Sequence, residues 1–102
     1  MRSVQTYLGY CQTVARWWRS NTGAGKLQRR DGVSQWMVFG FPGSPDIHGF
    51  MRDGRALFIE VKRPSGAVRP EQERFISDAR AAGCVAFIAR SVNDAVRELG
   101  AA

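Results

Sequence analysis

The chain has 102 residues, 44% hydrophobic and 11% aromatic, enough for one modest core but too short for a second and too apolar for a disordered segment. Fifteen Lys and Arg against nine Asp and Glu give a formal net charge of +6 and a pI near 10.4, an excess that suits a polyanion, either nucleic acid or an anionic membrane surface. No apolar run approaches the roughly 20 residues that span a bilayer and no signal-peptide pattern opens the chain, so the expectation is a single domain, residues 1–102, at a cytoplasmic address and with no membrane partner.

From Ser3 to about Ala15, Val4, Tyr7, Leu8, Cys11, Val14 and Ala15 recur at helical spacing, with Ser3 as N-cap, and predict an amphipathic helix. Cys11 and Cys84 are 73 positions apart, lack metal-ligand or Cys-x-x-Cys spacing, and read as buried thiols. Trp17 and Trp18 open a strand that runs into a small-residue loop, Thr22-Gly23-Ala24-Gly25. Two Arg-Asp-Gly turns follow, at Arg30-Asp31-Gly32 and Arg52-Asp53-Gly54, each between strand-like runs, and predict two β-hairpins. After the loop Arg63 to Arg69, Pro70 suits the first turn of a helix, and Glu71 and Glu73 suit its positive N-terminus. Phe75, Ile76, Ala79 and Ala82 give that helix an apolar face, and Gly83 stops it. Cys84 to Ala89 is a buried strand, and Ser91 caps a last helix through Val92, Ala95, Val96 and Leu99.

The second hairpin carries the chemistry. If Asp53-Gly54 were a two-residue turn, Asp46 would face Val61 and lie on the other side of the sheet from Glu60. With Arg52-Asp53-Gly54 as a three-residue loop and Gly54 in the left-handed position, Asp46 faces Glu60. Ile47, Leu57, Ile59 and Val61 then share a core face, while Asp46, His48, Phe58, Glu60 and Lys62 share the other, which carries a polar cluster. Two carboxylates facing each other repel unless a cation neutralises them, and a hard divalent ion such as Mg²⁺ takes oxygen ligands of this kind. Lys62, on the same face, can orient or deprotonate an attacking water or stabilise charge on a phosphate. Taken singly, a strand-end Glu and Lys read as a solvated surface pair and an Asp after proline as a turn former. Together, in a basic protein, Asp46, Glu60 and Lys62 have the parts of a phosphodiester hydrolase.

The segments FGFPGSPDIHGF, RALFIEVKRPSGAVRPEQERF and AAGCVAFIARS resemble a VRR-NUC domain, a branch of the PD-(D/E)XK nuclease superfamily. Pro45-Asp46 and Glu60-Val61-Lys62 match the superfamily signature; the Gly-x-Pro-Asp loop, Pro70-Glu71-Gln72 and the Ala-Gly before the last strand add specificity. The likeness runs from about Trp18 to Val96, and WRSNTGA is similar to a segment of single-domain phage members. It implies a restriction-endonuclease-like α/β fold, a mixed β-sheet flanked by helices with an αβββαβ core. It also implies Mg²⁺ or Mn²⁺ held by Asp46, Glu60 and the Val61 carbonyl, Lys62 assisting the nucleophilic water, and Gln72 supporting the site. Family members often place a glutamate on the first helix, yet no Asp or Glu precedes Asp31 here; Gln5 or Gln12 offers a neutral oxygen instead, or the ligand is absent.

His48, the only histidine, reads as a packed or substrate-contacting imidazole rather than a ligand, and stays outside the catalytic set. Arg16, Arg19, Lys26, Arg29 and Arg30 form a basic stretch suited to phosphates; within it Trp17 and Trp18 read as core rather than as base-stacking platforms. Arg63 and Arg69 are placed to flank a scissile strand. The function expected is a metal-dependent deoxyribonuclease; the resemblance further implies a homodimer acting on branched DNA such as Holliday junctions or flaps. The rival is a non-catalytic nucleic-acid-binding module on a degenerate nuclease fold.

Overall fold

The computed structural model describes residues 2–20, 23–28, 34–39 and 43–100, with the backbone alone for 23–28 and 34–39. In chain order the elements are α1 (Arg2–Leu8), β1 (Val14–Arg19), β2 (Gly23–Gln28), β3 (Ser34–Phe39), β4 (Ile47–Met51), β5 (Ala56–Val61), α2 (Pro70–Ala81), β6 (Val85–Ala89) and α3 (Val92–Gly100). One sheet has the strand order β1-β4-β5-β6. Its β1/β4 and β4/β5 pairs are antiparallel and β5/β6 is parallel, the crossover being α2. Strands β2 and β3 form a separate antiparallel pair inserted between β1 and β4, with Gly23 opposite Phe39 and Gln28 opposite Ser34. Without that insertion the order is αβββαβ followed by α3, the mixed α/β architecture that the sequence resemblance implies.

Helices α1 and α3 close one face of the sheet. Val4, Leu8, Val14, Ile47, Met51, Leu57, Ile59, Phe87, Ala89, Ala95 and Leu99 make one buried cluster there. Burying a side chain such as Leu57 or Ile59 stabilises the fold by roughly 1.5–3 kcal/mol each, which fixes the alternation of β5 and hence the direction of Glu60. Helix α2 covers the other face over β5 and β6, where Ile76, Ala79 and Ala86 pack with Phe58, Phe75, Cys84 and Ile88. The face expected to carry a polar cluster therefore also holds a second, smaller apolar layer, with the polar groups at one end.

The signals bounding α2 hold. Pro70 is its first residue and Gly83 lies past its end at φ 92°, with the Cys84 N–H donating to the Ala79 carbonyl at 2.9 Å and the Gly83 N–H to the Arg80 carbonyl at 3.0 Å. Ser91 caps α3 by accepting from the Asp94 N–H at 3.3 Å.

Other expectations are corrected. The first helix ends at Leu8, and Val14 and Ala15 belong to β1; Val4, Leu8 and Val14 reach the same core, which mimics one helical stripe. Gly23-Ala24-Gly25 is not a loop but the start of β2, because cross-strand pairing overrides the low β-propensity of glycine. Both thiols are only half-buried, and Ala82, just past the end of α2, and Val96, in the middle of α3, are exposed instead of joining an apolar face. Trp17 packs against the core as expected, whereas Trp18 is 46% exposed. The Arg30-Asp31-Gly32 turn lies outside the described residues. Among the described residues no helix is long and apolar enough to cross a membrane.

Candidate active site

The register of β4 against β5 decides which side chains meet. Ile47 pairs with Ile59, His48 with Phe58 and Phe50 with Ala56, the offset that a three-residue Arg52-Asp53-Gly54 loop requires. Gly54 has φ 94° and donates its N–H to the Met51 carbonyl at 3.0 Å, while the Met51 N–H donates to the Arg55 carbonyl at 2.8 Å. The left-handed position assigned to Gly54 is thus observed, and Glu60 and Asp46 fall on the α2 side of the sheet.

Asp46 sits one residue ahead of β4 and is tied down from both sides. Its carbonyl accepts from the Ser20 N–H at 2.7 Å, beyond the end of β1, and its Oδ2 accepts from the Val61 N–H at 2.9 Å. The preceding Pro45 is fully buried. Gly43 has φ 85°, and a Cβ there would overlap the Glu71 carbonyl, so the loop before Asp46 lies against the first turn of α2.

Glu60 is 4% exposed. Its Oε1 accepts from Gln72 Nε2 at 3.0 Å and lies 3.8 Å from Lys62 Nζ. Gln72 is held in turn, its Oε1 accepting from the Arg69 N–H at 3.0 Å as the third residue of α2. Glu60 Oε2 is buried and has no hydrogen-bond partner among the described residues. Burial, and after it the negative charge and hydrogen bonding of Asp46, push the Glu60 carboxyl up to about 7 against the opposing pull of Lys62 and Arg69. An ionised carboxylate buried with a bare oxygen beside a second carboxylate is unfavourable unless a cation joins them. Two carboxylates, with the Val61 carbonyl on the chain between Glu60 and Lys62, form a hard oxygen donor set that fits Mg²⁺ or Mn²⁺. Among the described residues no cluster of three or more His, Cys, Asp or Glu is found, so further ligands would be water or substrate.

Beside Asp46 opens a cleft of about 500 Å³ lined by Asp46, Val61, Lys62, Arg63, Pro64 and Arg90. Asp46, Glu60, Val61, Lys62 and Gln72, separated by up to 26 positions, are thereby brought together, with Arg63 on the rim. Arg69 is less direct: its backbone holds Gln72, while its exposed guanidinium lies 3.6 Å from Glu71. Arg19 is exposed at the end of β1, opposite Ile47, and the Lys26 side chain lies outside those described. Gln12 is no stand-in ligand. Its carbonyl accepts from the Arg52 side chain at the turn end of the hairpin, and Asp46 is six strand residues away, roughly 20 Å. Gln5 lies on α1, whose Val4 and Leu8 face the core on the side of the sheet away from α2. His48 is half-buried, edge-on to Phe58 at 5.2 Å and with Nε2 3.4 Å from Ser44 Oγ; burial holds its pKa down, which fits a packed imidazole.

Arg90 escaped the sequence reading. Its Nη1 donates to the carbonyls of Arg63, Pro64 and Gly66 at 3.0, 3.3 and 2.6 Å, which pins the loop that follows Lys62 and forms one wall of the cleft. The signal was the parallel pairing of Val61 with Ala89, which places Arg90 beside Lys62 at the carboxyl ends of both strands, where open α/β sheets bind ligands.

Compared with known protein families, the chain matches the VRR-NUC domain over residues 2–93. No curated protein gives a significant match. A match over nine-tenths of the sequence, on a mixed sheet whose Pro-Asp and Glu-x-Lys segments converge at one end, leaves one assignment: the chain belongs to the VRR-NUC domain family of PD-(D/E)XK-like nucleases.

Proposed function

We propose that the chain is a divalent-metal-dependent deoxyribonuclease that hydrolyses DNA phosphodiester bonds at the Asp46/Glu60 cleft, with a preference for branched DNA. The observation that carries this reading is the buried Glu60 Oε2, without a hydrogen-bond partner among the described residues, on a carboxylate that faces Asp46 and has Lys62 beside its other oxygen. A Mg²⁺ or Mn²⁺ ion held by Asp46, Glu60 and the Val61 carbonyl would supply Lewis-acid polarisation of the scissile phosphate. The protein's own groups do the rest. Gln72 fixes the Glu60 rotamer through Oε1 and leaves Oε2 free for the cation. The Val61 N–H fixes one oxygen of Asp46. Lys62 lines the cleft, where its ammonium would orient the attacking water or stabilise the charge that builds on the phosphate as the water attacks. Arg63 and Arg90 line the same cleft and supply positive potential for the DNA backbone. Two nicks placed symmetrically across a junction need two active sites, so this reading includes a homodimer.

A non-catalytic nucleic-acid-binding module is the second reading, and the lack of any acidic residue in α1 favours it. Incubating the purified protein with a four-way junction, a flap and linear duplex in Mg²⁺, Mn²⁺ or EDTA separates the two. Cleavage that requires the metal and is lost in Asp46→Asn supports the nuclease; binding of all three DNAs with every strand left intact supports the module.

A further inference from the structure

Among the described residues, no helix covers one half of the sheet face that bears the carboxylates. Helix α2 packs there on Phe58, Ala86 and Ile88 of β5 and β6, whereas the neighbouring β1/β4 half exposes Trp18 and Phe50, 46% and 43% accessible. Their ring centroids are 6.3 Å apart with planes at 66°, an edge contact that fixes the pair while leaving it open to solvent. Exposed Arg16 stands opposite Phe50, and Trp18 stands opposite His48. Since His48 is two residues from Asp46, Trp18 is a diagonal neighbour of the carboxylate, with backbones roughly 7–8 Å apart. A single exposed aromatic needs no explanation. Two in contact, beside an arginine and one strand from the candidate site, present a ligand surface.

We propose that Trp18 and Phe50 form a stacking platform for an unpaired nucleobase of the DNA, from a nucleotide adjoining the bond offered to Asp46 and Glu60. The proposal rests on the nuclease reading and adds the basis of substrate choice. Charge argues for this occupant: exposed Arg16 stands opposite Phe50 on the platform's own face, Arg63 and Arg90 line the adjoining cleft, and the chain carries a net charge of +6, an excess that attracts a polyanion. Aromatic side chains bind bases through faces that a duplex already fills with its own neighbours, so the platform accepts only a base freed at a branch, flap or end. Trp17 has its place in the core, and Trp18 is free for this task.

The test compares a fork carrying 2-aminopurine in one unpaired arm with a fully paired duplex, titrated in EDTA with wild type, Trp18→Ala, Trp18→Phe and Phe50→Ala, each checked by circular dichroism. Wild type should bind the fork more tightly than the duplex and quench the 2-aminopurine. Trp18→Ala should weaken fork binding by about 5- to 150-fold and abolish the quench, with duplex binding nearly unchanged and most of the loss restored in Trp18→Phe. Phe50→Ala should act in the same direction and keeps the test open if Trp18→Ala does not fold. Unchanged fork affinity in both alanine variants, or equal losses on fork and duplex, would overturn the platform. So would dissociation of a dimer by Trp18→Ala in sedimentation equilibrium, which would make this face a contact between copies. Cleavage of the same fork by wild type in Mn²⁺ scores the nuclease reading separately: quenching without cleavage sinks that reading alone, and cleavage without the differential loss sinks the platform alone.

Discussion

At the turn end of the β4–β5 hairpin, Asp53 is exposed and fully answered: it accepts from the Arg55 N–H at 3.0 Å and pairs with the Arg55 guanidinium at 2.7 Å. Those hydrogen bonds, the backbone one first, hold its carboxyl below the usual carboxylate range. At the open end of the same hairpin Glu60 is buried, faces Asp46, keeps one oxygen without a partner among the described residues and is pushed up to about 7. Both belong to one hairpin, and what separates them is their surroundings. A carboxylate that shapes a turn is satisfied by its neighbours, whereas one held for chemistry is left needing a ligand that the fold does not supply.

That contrast can be broken by substitution. Glu60→Gln and Lys62→Ala should each lower metal-dependent cleavage by at least about 10³-fold while circular dichroism stays unchanged, since neither side chain belongs to an apolar cluster. Wild-type rates in either variant would remove it from the site. Gln72→Ala should cost about 10–100-fold in cleavage or Mn²⁺ affinity, because Gln72 acts by holding Glu60. An effect confined to thermal stability would reduce Gln72 to a helix-cap residue.

Acidity sharpens the comparison further. The folded pKa of Glu60 lies above the 4.5 of an ordinary glutamate, so the metal-free fold prefers the protonated carboxyl. Its stabilising contribution is fully present below 4.5 and is lost as pH rises through about 7. In EDTA the melting temperature should therefore carry a component that falls between those pH values and is absent in Glu60→Gln, as read by scanning calorimetry. Because the cation must displace that proton, apparent Mn²⁺ affinity should drop about tenfold per pH unit below 7. The smallest effect belongs to the other end: Asp53→Asn should leave Mn²⁺ affinity and cleavage unchanged, and a large loss there would mean that the two carboxylates do not differ as described.

The hairpin was readable from sequence because Asp53-Gly54 permits few loop lengths, and only the three-residue one puts Ile47 on the same core face as Leu57 and Ile59. Pro70 and Gly83 likewise bound α2 through backbone constraints that context rarely overrides. What escaped depended on distant packing. The end of α1 was hidden because Val14 reaches the α1 core from a strand. The glycine-rich start of β2 takes its form from β3, and the second apolar layer from α2 lying over Phe58. Arg90 joined the cleft through a parallel pairing that sequence spacing does not announce. The exposure of Trp18 depends on how far α2 extends over the sheet.

The most direct test of the shared-cation claim is calorimetric titration of Mn²⁺ at pH 8 into wild type, Asp46→Asn, Glu60→Gln and Asp53→Asn, with folding verified for each. Binding should be seen in wild type and Asp53→Asn and be lost in both Asp46→Asn and Glu60→Gln. Wild-type affinity in either of those two folded variants would contradict it, since Asp46 and Glu60 would then not hold one ion between them.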